Sequence, residues 1–192
     1  MPDIQNGEPV GNAHRFAPAA PDEEYVYGAC CPGWHTAADQ TDALADWIGF
    51  MRARKVDRVC SLLPGDHGDG AGGDERDCAD GAFDTFRDVF GPEQVCTAPI
   101  LDHRLVDPGL LDREILPFLD DAAAAEERVV VLCLTGLGRT GQVLAVWLAH
   151  DRDYAPERAI ETVELTGRHP REPVESDNAS PQELEDLLAT FA

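Results

Sequence analysis

Lysine is almost missing from this 192-residue chain: of its 15 cationic residues only Lys55 is a lysine, and they face 37 Asp and Glu for a formal net charge of −22. A surface so poor in cations repels nucleic acid and anionic membrane at ordinary salt, so neither is expected as a partner. Self-repulsion of this size weakens a compact state unless counterions screen it. The potassium-rich cytoplasm of a salt-in halophile is the setting that fits, with an ordinary acidic cytosolic protein as the alternative. On the halophile reading, the thermal midpoint should climb with potassium chloride well past the range in which Debye screening saturates. A flat melting response from low to multi-molar salt would remove that reading and leave the chemistry below untouched.

Long apolar runs are also missing, which argues against a membrane span. The first residues, Met1-Pro2-Asp3-Ile4, lack the basic start and apolar stretch of a secretory signal. The expectation is therefore a cytoplasmic protein. No C-x-x-C pair exists to hold zinc, and the six cysteines fall irregularly at 30, 31, 60, 78, 96 and 133. That spacing, in a chain without a secretory start, argues against a disulfide framework and for reduced, mostly buried thiols.

What is present is an alternation of short strands and amphipathic helices. Residues 1–24 read as an irregular N-terminal arm, and 25–192 as one domain. Strands are expected at Tyr25 to Cys30, Val56 to Leu63, Val95 to Ile100 and Val129 to Leu132, the last a continuous apolar run of the kind buried on both faces. Between them, Leu44, Trp47, Ile48 and Met51 mark one helix from Ala38 to Arg54, and Phe83, Phe86, Val89 and Phe90 mark another. Asp107 is placed to cap a third, with Pro108 at its first position and a kink at Pro117. Residues 64–80 hold five Asp and five Gly and read as an acidic loop. Three helices close the chain, at Thr140 to His150, Pro156 to Thr166 and Pro181 to Phe191, the last opening on the capping box Ser180-x-x-Glu183. The pattern predicts an α/β fold: one domain with a mostly parallel central sheet flanked by helices.

The chemistry concentrates where that buried strand meets a helix, in Cys133-Leu134-Thr135-Gly136-Leu137-Gly138-Arg139-Thr140-Gly141. Glycines let backbone N–H groups turn inward, and the following helix directs its positive end at the same point. Leu134, Thr135, Gly136, Leu137 and Gly138 are therefore candidate phosphate binders through their amides. Arg139 adds a planar fork suited to two phosphate oxygens. The same field favours a thiolate, which places a nucleophile, Cys133, beneath a bound phosphoryl group. Cysteine with arginine six residues on is a weak pattern alone; its place between strand and helix gives it weight.

The same residues spell G-x-G-x-x-G from Gly136 to Gly141, the dinucleotide-binding fingerprint. That fold needs a second strand ending in an acid about 20 residues later, and Pro156 to Thr166 reads as a helix instead. A cysteine protease is disfavoured because none of the six histidines can be assigned as its base from spacing.

The segment resembles the signature H-C-x-x-G-x-x-R-[S/T] of the dual-specificity-like protein-tyrosine phosphatases, which Cys133, Gly136, Arg139 and Thr140 match. The likeness runs from about Tyr25 to Ala192 and is strongest from Pro99 to Leu148. It implies a cysteinyl-phosphate mechanism without metal or cofactor, with Cys133 as nucleophile, Arg139 and the loop amides on the phosphate, and Thr140 stabilising the thiolate. The signature histidine, which orders the loop and tunes the thiol, is Leu132 here. The family's acid lies some thirty residues upstream, often in P-I-x-D, and Pro99-Ile100-Leu101-Asp102 fits 31 residues before Cys133. Asp107 is the alternative acid, with a competing role as helix cap.

Arg168, His169 and Arg171 form a basic cluster that either lines the pocket rim or balances a helix end. Asn178 and Gln182 are candidates to position the hydrolytic water, and His103 reads as a solvated loop residue. No spacing selects a cysteine to resolve an oxidised Cys133. Leu134, Thr135 and Leu137 bring no cation to the loop, which favours a phosphorylated protein over highly charged phosphoinositides or triphosphate ends. The expected function is a protein phosphatase acting on phosphotyrosine and on phosphoserine or phosphothreonine. The alternative is a silent relative that binds phosphoprotein unchanged.

Overall fold

The apolar run ending at Cys133 forms the middle of the sheet. In the computed structural model, residues 4–5, 8–9, 13–34, 40–64 and 82–192 are described. Ile4–Gln5 (β1) and Glu8–Pro9 (β2) pair as a separate antiparallel ribbon. The main sheet comprises Ala17–Pro18 (β3), Val26–Cys30 (β4), Val56–Ser61 (β5), Val95–Thr97 (β6) and Arg128–Cys133 (β7). Its order is β3-β4-β7-β5-β6, parallel throughout except where β3 runs against β4.

Strand β7 lies between two apolar layers, which is why its sequence does not alternate. Val129, Val131 and Cys133 face one layer, Val130 and Leu132 the other. The Leu132 layer is covered by Gln40–Ala53 (α1) and Ala82–Phe90 (α2), through Trp47, Met51, Phe83 and Phe86. The Cys133 layer is covered by the α3 region (residues 108–124) and by Gly138–Arg152 (α4), Pro156–Leu165 (α5) and Pro181–Ala189 (α7), with the single turn Glu172–Glu175 (α6) between the last two. Helix α4 is enclosed: every residue from Gly138 to Ala149 is buried. Its N-terminus is thereby fixed against the end of β7. The chain is a single α/β domain, as the alternation of elements implied. Among the described residues no helix is long and apolar enough to cross a membrane.

Several boundaries differ from those read in the sequence, each for a local reason. Strand β6 stops at Thr97, although the amides of Ala98 and Ile100 still donate to the carbonyls of Ser61 and Leu62 at the end of β5. Pro117 does not simply kink α3. Pro108–Leu110 and Leu116–Ala124 are α-helical, and the turn between them, Leu111–Ile115, widens to a π-helix. A proline lacks the N–H that its i−4 carbonyl would receive, and a wide turn ahead of it accommodates that loss. Within the N-terminal arm, Ala13–Arg15 forms a 3₁₀ turn, β3 joins the sheet edge, and Ala19 and Ala20 are fully buried. Glu23 is buried too, accepting hydrogen bonds from the Tyr25 amide at 3.0 Å and Trp147 Nε1 at 3.3 Å, and pairing with Arg152 at 3.2 Å. The start of the α1 prediction and the acidic loop from residue 65 onward lie outside the described residues.

Candidate active site

The loop after β7 has its carbonyls turned outward. The Cys31 amide donates to the carbonyls of Cys133 at 3.0 Å and Leu134 at 3.2 Å. Arg15 Nη1 donates to Thr135 O at 3.0 Å, and Arg168 Nη1 to Gly136 O at 2.5 Å. Leu137 O receives the amides of Gly141 at 2.8 Å and His169 at 3.2 Å. In a planar trans peptide the following N–H points opposite to the carbonyl, and no cis bond occurs among the described residues. The amides of Leu134, Thr135, Gly136 and Gly138 are therefore turned to the opposite side, toward the buried Cys133, while the Leu137 amide donates to Thr135 Oγ1 at 3.3 Å. This concavity, closed by the N-terminus of α4, has the geometry that can hold an anion.

Glycine is required at 136 on two counts. Its φ of +72° is left-handed, and a methyl group there would fall 2.6 Å from the Ala29 carbonyl oxygen. The loop is packed directly on the end of β4, so it has no room to relax.

Arg139 occupies the first turn of α4 and is 2% exposed. Its Nη1 donates to Ile100 O at 3.2 Å, and its Nη2 lies 3.1 Å from Asp102 Oδ1. The two residues that the sequence spaces 37 apart are thus in contact, and Asp102, with its side chain 43% exposed, opens toward solvent. Thr140 is fully buried, and its hydroxyl has no hydrogen-bond partner. Asp107 serves as the helix cap, its Oδ1 accepting the Leu110 amide at 2.9 Å.

Other candidates fall elsewhere than the sequence suggested. Arg168 does not line a rim; it is buried behind the loop. Arg171 pairs with Glu164 at 2.9 Å and Glu157 at 2.8 Å, and His169 with Glu175 at 2.8 Å, so these two serve helix packing. Gln182 donates to Asp186 at 2.8 Å, and Asn178 is an exposed loop residue.

Glu172, which no motif or spacing in the sequence marks, reaches the loop. Its carboxylate lies so close over Gly138 that any side chain at 138 would collide with it. Burial raises Glu172 above the ordinary carboxylate range, with Asp102 adding to the rise and His103 and Arg139 opposing it. His103 is an exposed loop residue, as read from the sequence, and also stands between the two acids, 3.3 Å from Asp102 and 3.8 Å from Glu172. The three side chains cluster closely enough to suit a metal ion. The Arg139 guanidinium against Asp102 opposes a cation there.

Cys30 is the thiol that the sheet register brings to Cys133. The two are Cα partners at the ends of β4 and β7. The pair Val26 and Val129, four residues back on each strand, faces the same layer as Cys133, so the two thiols share a face. Burial pushes Cys30 up to about 12, against the pull of Arg15.

No protein-family model matches the chain, and no curated protein sequence does. Solved structures match over most of its length. Tk-PTP in its active form is 22% identical over 85% of this chain and 93% of that one, with a TM-score of 0.56. PTPMT1 in complex with PI(5)P is 13% identical over 92% of this chain and 96% of that one, with a TM-score of 0.65. A cysteine-to-serine variant of P. aeruginosa TpbA in complex with phosphotyrosine is 15% identical over 96% of this chain and 94% of that one, with a TM-score of 0.58. At such identities the likeness is one of fold: the chain has the fold of the dual-specificity and protein-tyrosine phosphatases.

Proposed function

We propose that the chain is a cysteine-dependent phosphatase that hydrolyses phosphomonoesters on protein, phosphotyrosine and phosphoserine or phosphothreonine among them, in the cytoplasm and without metal or cofactor. The observation that carries this reading is the run of outward-held carbonyls from Cys133 to Leu137, which leaves the amides between them, apart from that of Leu137, turned toward the space above a cysteine. Nothing in a structural turn calls for such an arrangement, whereas a phosphoryl group with three equatorial oxygens uses it fully.

In the first step the Cys133 thiolate attacks phosphorus, the S–P bond forms and the ester P–O bond breaks. Asp102 gives its proton to the departing oxygen. In the second, water attacks the phosphocysteine, the S–P bond breaks, Cys133 leaves as thiolate and Asp102 takes a proton from the water. Arg139, which faces Asp102 in the unliganded protein, turns its fork to two phosphate oxygens, so binding the substrate also releases the acid. The unpartnered Thr140 hydroxyl is the donor available to the thiolate. Asp102 and Glu172 at the mouth add negative charge beside a loop without lysine, which disfavours polyphosphorylated lipids and suits a single phosphate on a protein side chain.

A second reading, a protein that binds phosphoprotein and releases it unchanged, is favoured by Leu132 in place of the signature histidine. Rapid acid quench after mixing with an aryl phosphate separates the two. Phosphate covalently attached to the Cys133 peptide within one turnover is the expected result, and binding without any phosphocysteine would establish the reader.

A further inference from the structure

A histidine before the nucleophile is not the only way to order a phosphate loop and hold its thiolate. At position 132 the side chain is a leucine turned into the apolar layer with Trp47 and Phe86, on the other face of the sheet from Cys133. The buried charged groups among the described residues are Glu23, Arg139 and Arg168. Two of the three are arginines at the same loop: Arg139 enters from the mouth, and Arg168 lies behind it.

Arg168 follows α5 and is 4% exposed. Its guanidinium donates to Gly136 O at 2.5 Å, Gly28 O at 2.8 Å, Arg15 O at 2.7 Å and Ala17 O at 3.4 Å. All four acceptors are neutral carbonyls, and the ion pairs of the described residues give Arg168 no carboxylate. The four carbonyls satisfy N–H groups of the guanidinium but leave its charge without a counter-ion, and a buried charge is costly unless it is paired as well as hydrogen-bonded. The room for it is specific. A methyl group on Gly28 would lie 2.8 Å from Thr140 Cγ2 and 2.9 Å from Arg168 Cζ, so the glycine in the middle of β4 admits both side chains. Burial lowers Arg168 to about 10, while the Cys133 and Cys30 thiols pull the other way.

We propose that Arg168 is the counter-charge of the Cys133 thiolate and the strut of its loop, doing from behind the cradle what position 132 cannot. Through the Gly136 carbonyl it holds the loop open for phosphate. Through Arg15 and Ala17 it ties the N-terminal segment to the same point, where Arg15 in turn grips Thr135. The charged and titratable groups around this thiol are Arg168 after α5, Arg139 on α4, Cys30 on β4 and Arg15 before β3, with Asp102, His103 and Glu172 at the mouth. Arg168 is thus a positioning residue, and the inference rests on Cys133 being the reactive thiol of the proposed phosphatase.

Two conservative variants separate charge from scaffold. Arg168→Gln keeps hydrogen-bond donors for the carbonyls and removes the charge; Arg168→Lys keeps the charge and loses the fork. The measurement is the rate of iodoacetamide alkylation at the Cys133 peptide as a function of pH, on intact protein without substrate. Arg168→Gln should move the profile upward by about one pH unit, a tenfold loss of alkylation at pH below both midpoints, while Arg168→Lys should move it by less than half as much. If Arg168→Gln does not fold, Arg168→Met, which also removes the charge and keeps a long unbranched side chain, should move the profile in the same direction. Profiles that superimpose on the parent in a folded Arg168→Gln or Arg168→Met variant would overturn the inference while leaving the phosphatase reading intact. Absence of phosphocysteine in the parent would do the reverse, because alkylation needs no turnover.

Discussion

Cys133→Ser should abolish hydrolysis of an aryl phosphate while binding of the phosphate ester persists. The cradle is made of main-chain amides and Arg139, none of which the substitution touches, so the anion still has its donors. The nucleophile is a different matter. A serine hydroxyl is far less ionised than a thiol in the same field, and this loop supplies no general base to deprotonate it. The expected loss in kcat is roughly 10⁴-fold or more, the scale on which removing a nucleophile acts, with little change in the affinity for product phosphate. Activity within tenfold of the parent would end the cysteine mechanism. Arg139→Lys should also be crippled, but with a different signature: a point charge cannot span two phosphate oxygens, so both affinity and turnover should fall.

The contrast between Cys133 and Arg168 shows how far the sequence could be read. Cys133, Gly136, Arg139 and Thr140 lie within eight consecutive residues, and strand, turn and helix are each announced by local composition, so their meeting was legible. The family resemblance points to Asp102 through the P-I-x-D pattern and its distance from Cys133, and the structure puts it 3.1 Å from Arg139. Arg168 meets its partners across 32, 140 and 153 residues of chain, and Arg15 meets Thr135 across 120. No periodicity encodes such contacts. They follow only from β4 lying beside β7 and from the chain after α5 returning to the loop, which is topology rather than pattern.

The same reason explains the other misses. Glu172 sits on a single helical turn bracketed by Arg171 and Pro173, too short for a periodic signal. Asn178 and Gln182 are exposed, whereas the turn of α6 brings Glu172 to Gly138. A two-residue strand such as β3, ending in proline, has no alternation to detect, so residues 17 and 18 read as irregular although they complete the sheet edge. By contrast, the capping box at Ser180 and the Asp107 cap are chemical statements made within four residues, and both form as read.

Asp102→Asn should slow esters with poor leaving groups by roughly 10² to 10⁴ and barely affect an ester whose leaving oxygen is already a stable anion. The reasoning starts from where charge develops. As the P–O bond breaks, an alkoxide or an unactivated phenoxide needs a proton in the transition state, whereas a nitrophenolate-type group does not, so only the first class gains from an acid. Asparagine keeps the size of the side chain and can still accept from Arg139, so the loop from Pro99 to Asp102 should hold its place. A folding defect or a collapsed cradle would depress both kinds of substrate alike, and the ratio of the two rates is therefore the measurement. Asp107→Asn is the matched control. Its carboxylate caps α3 by accepting the Leu110 amide, and asparagine caps a helix about as well as aspartate, so neither stability nor the ratio should change much. If Asp107→Asn shows the leaving-group dependence and Asp102→Asn does not, the proton comes from Asp107, and the contact between Asp102 and Arg139 serves only to hold the arginine in the unliganded protein.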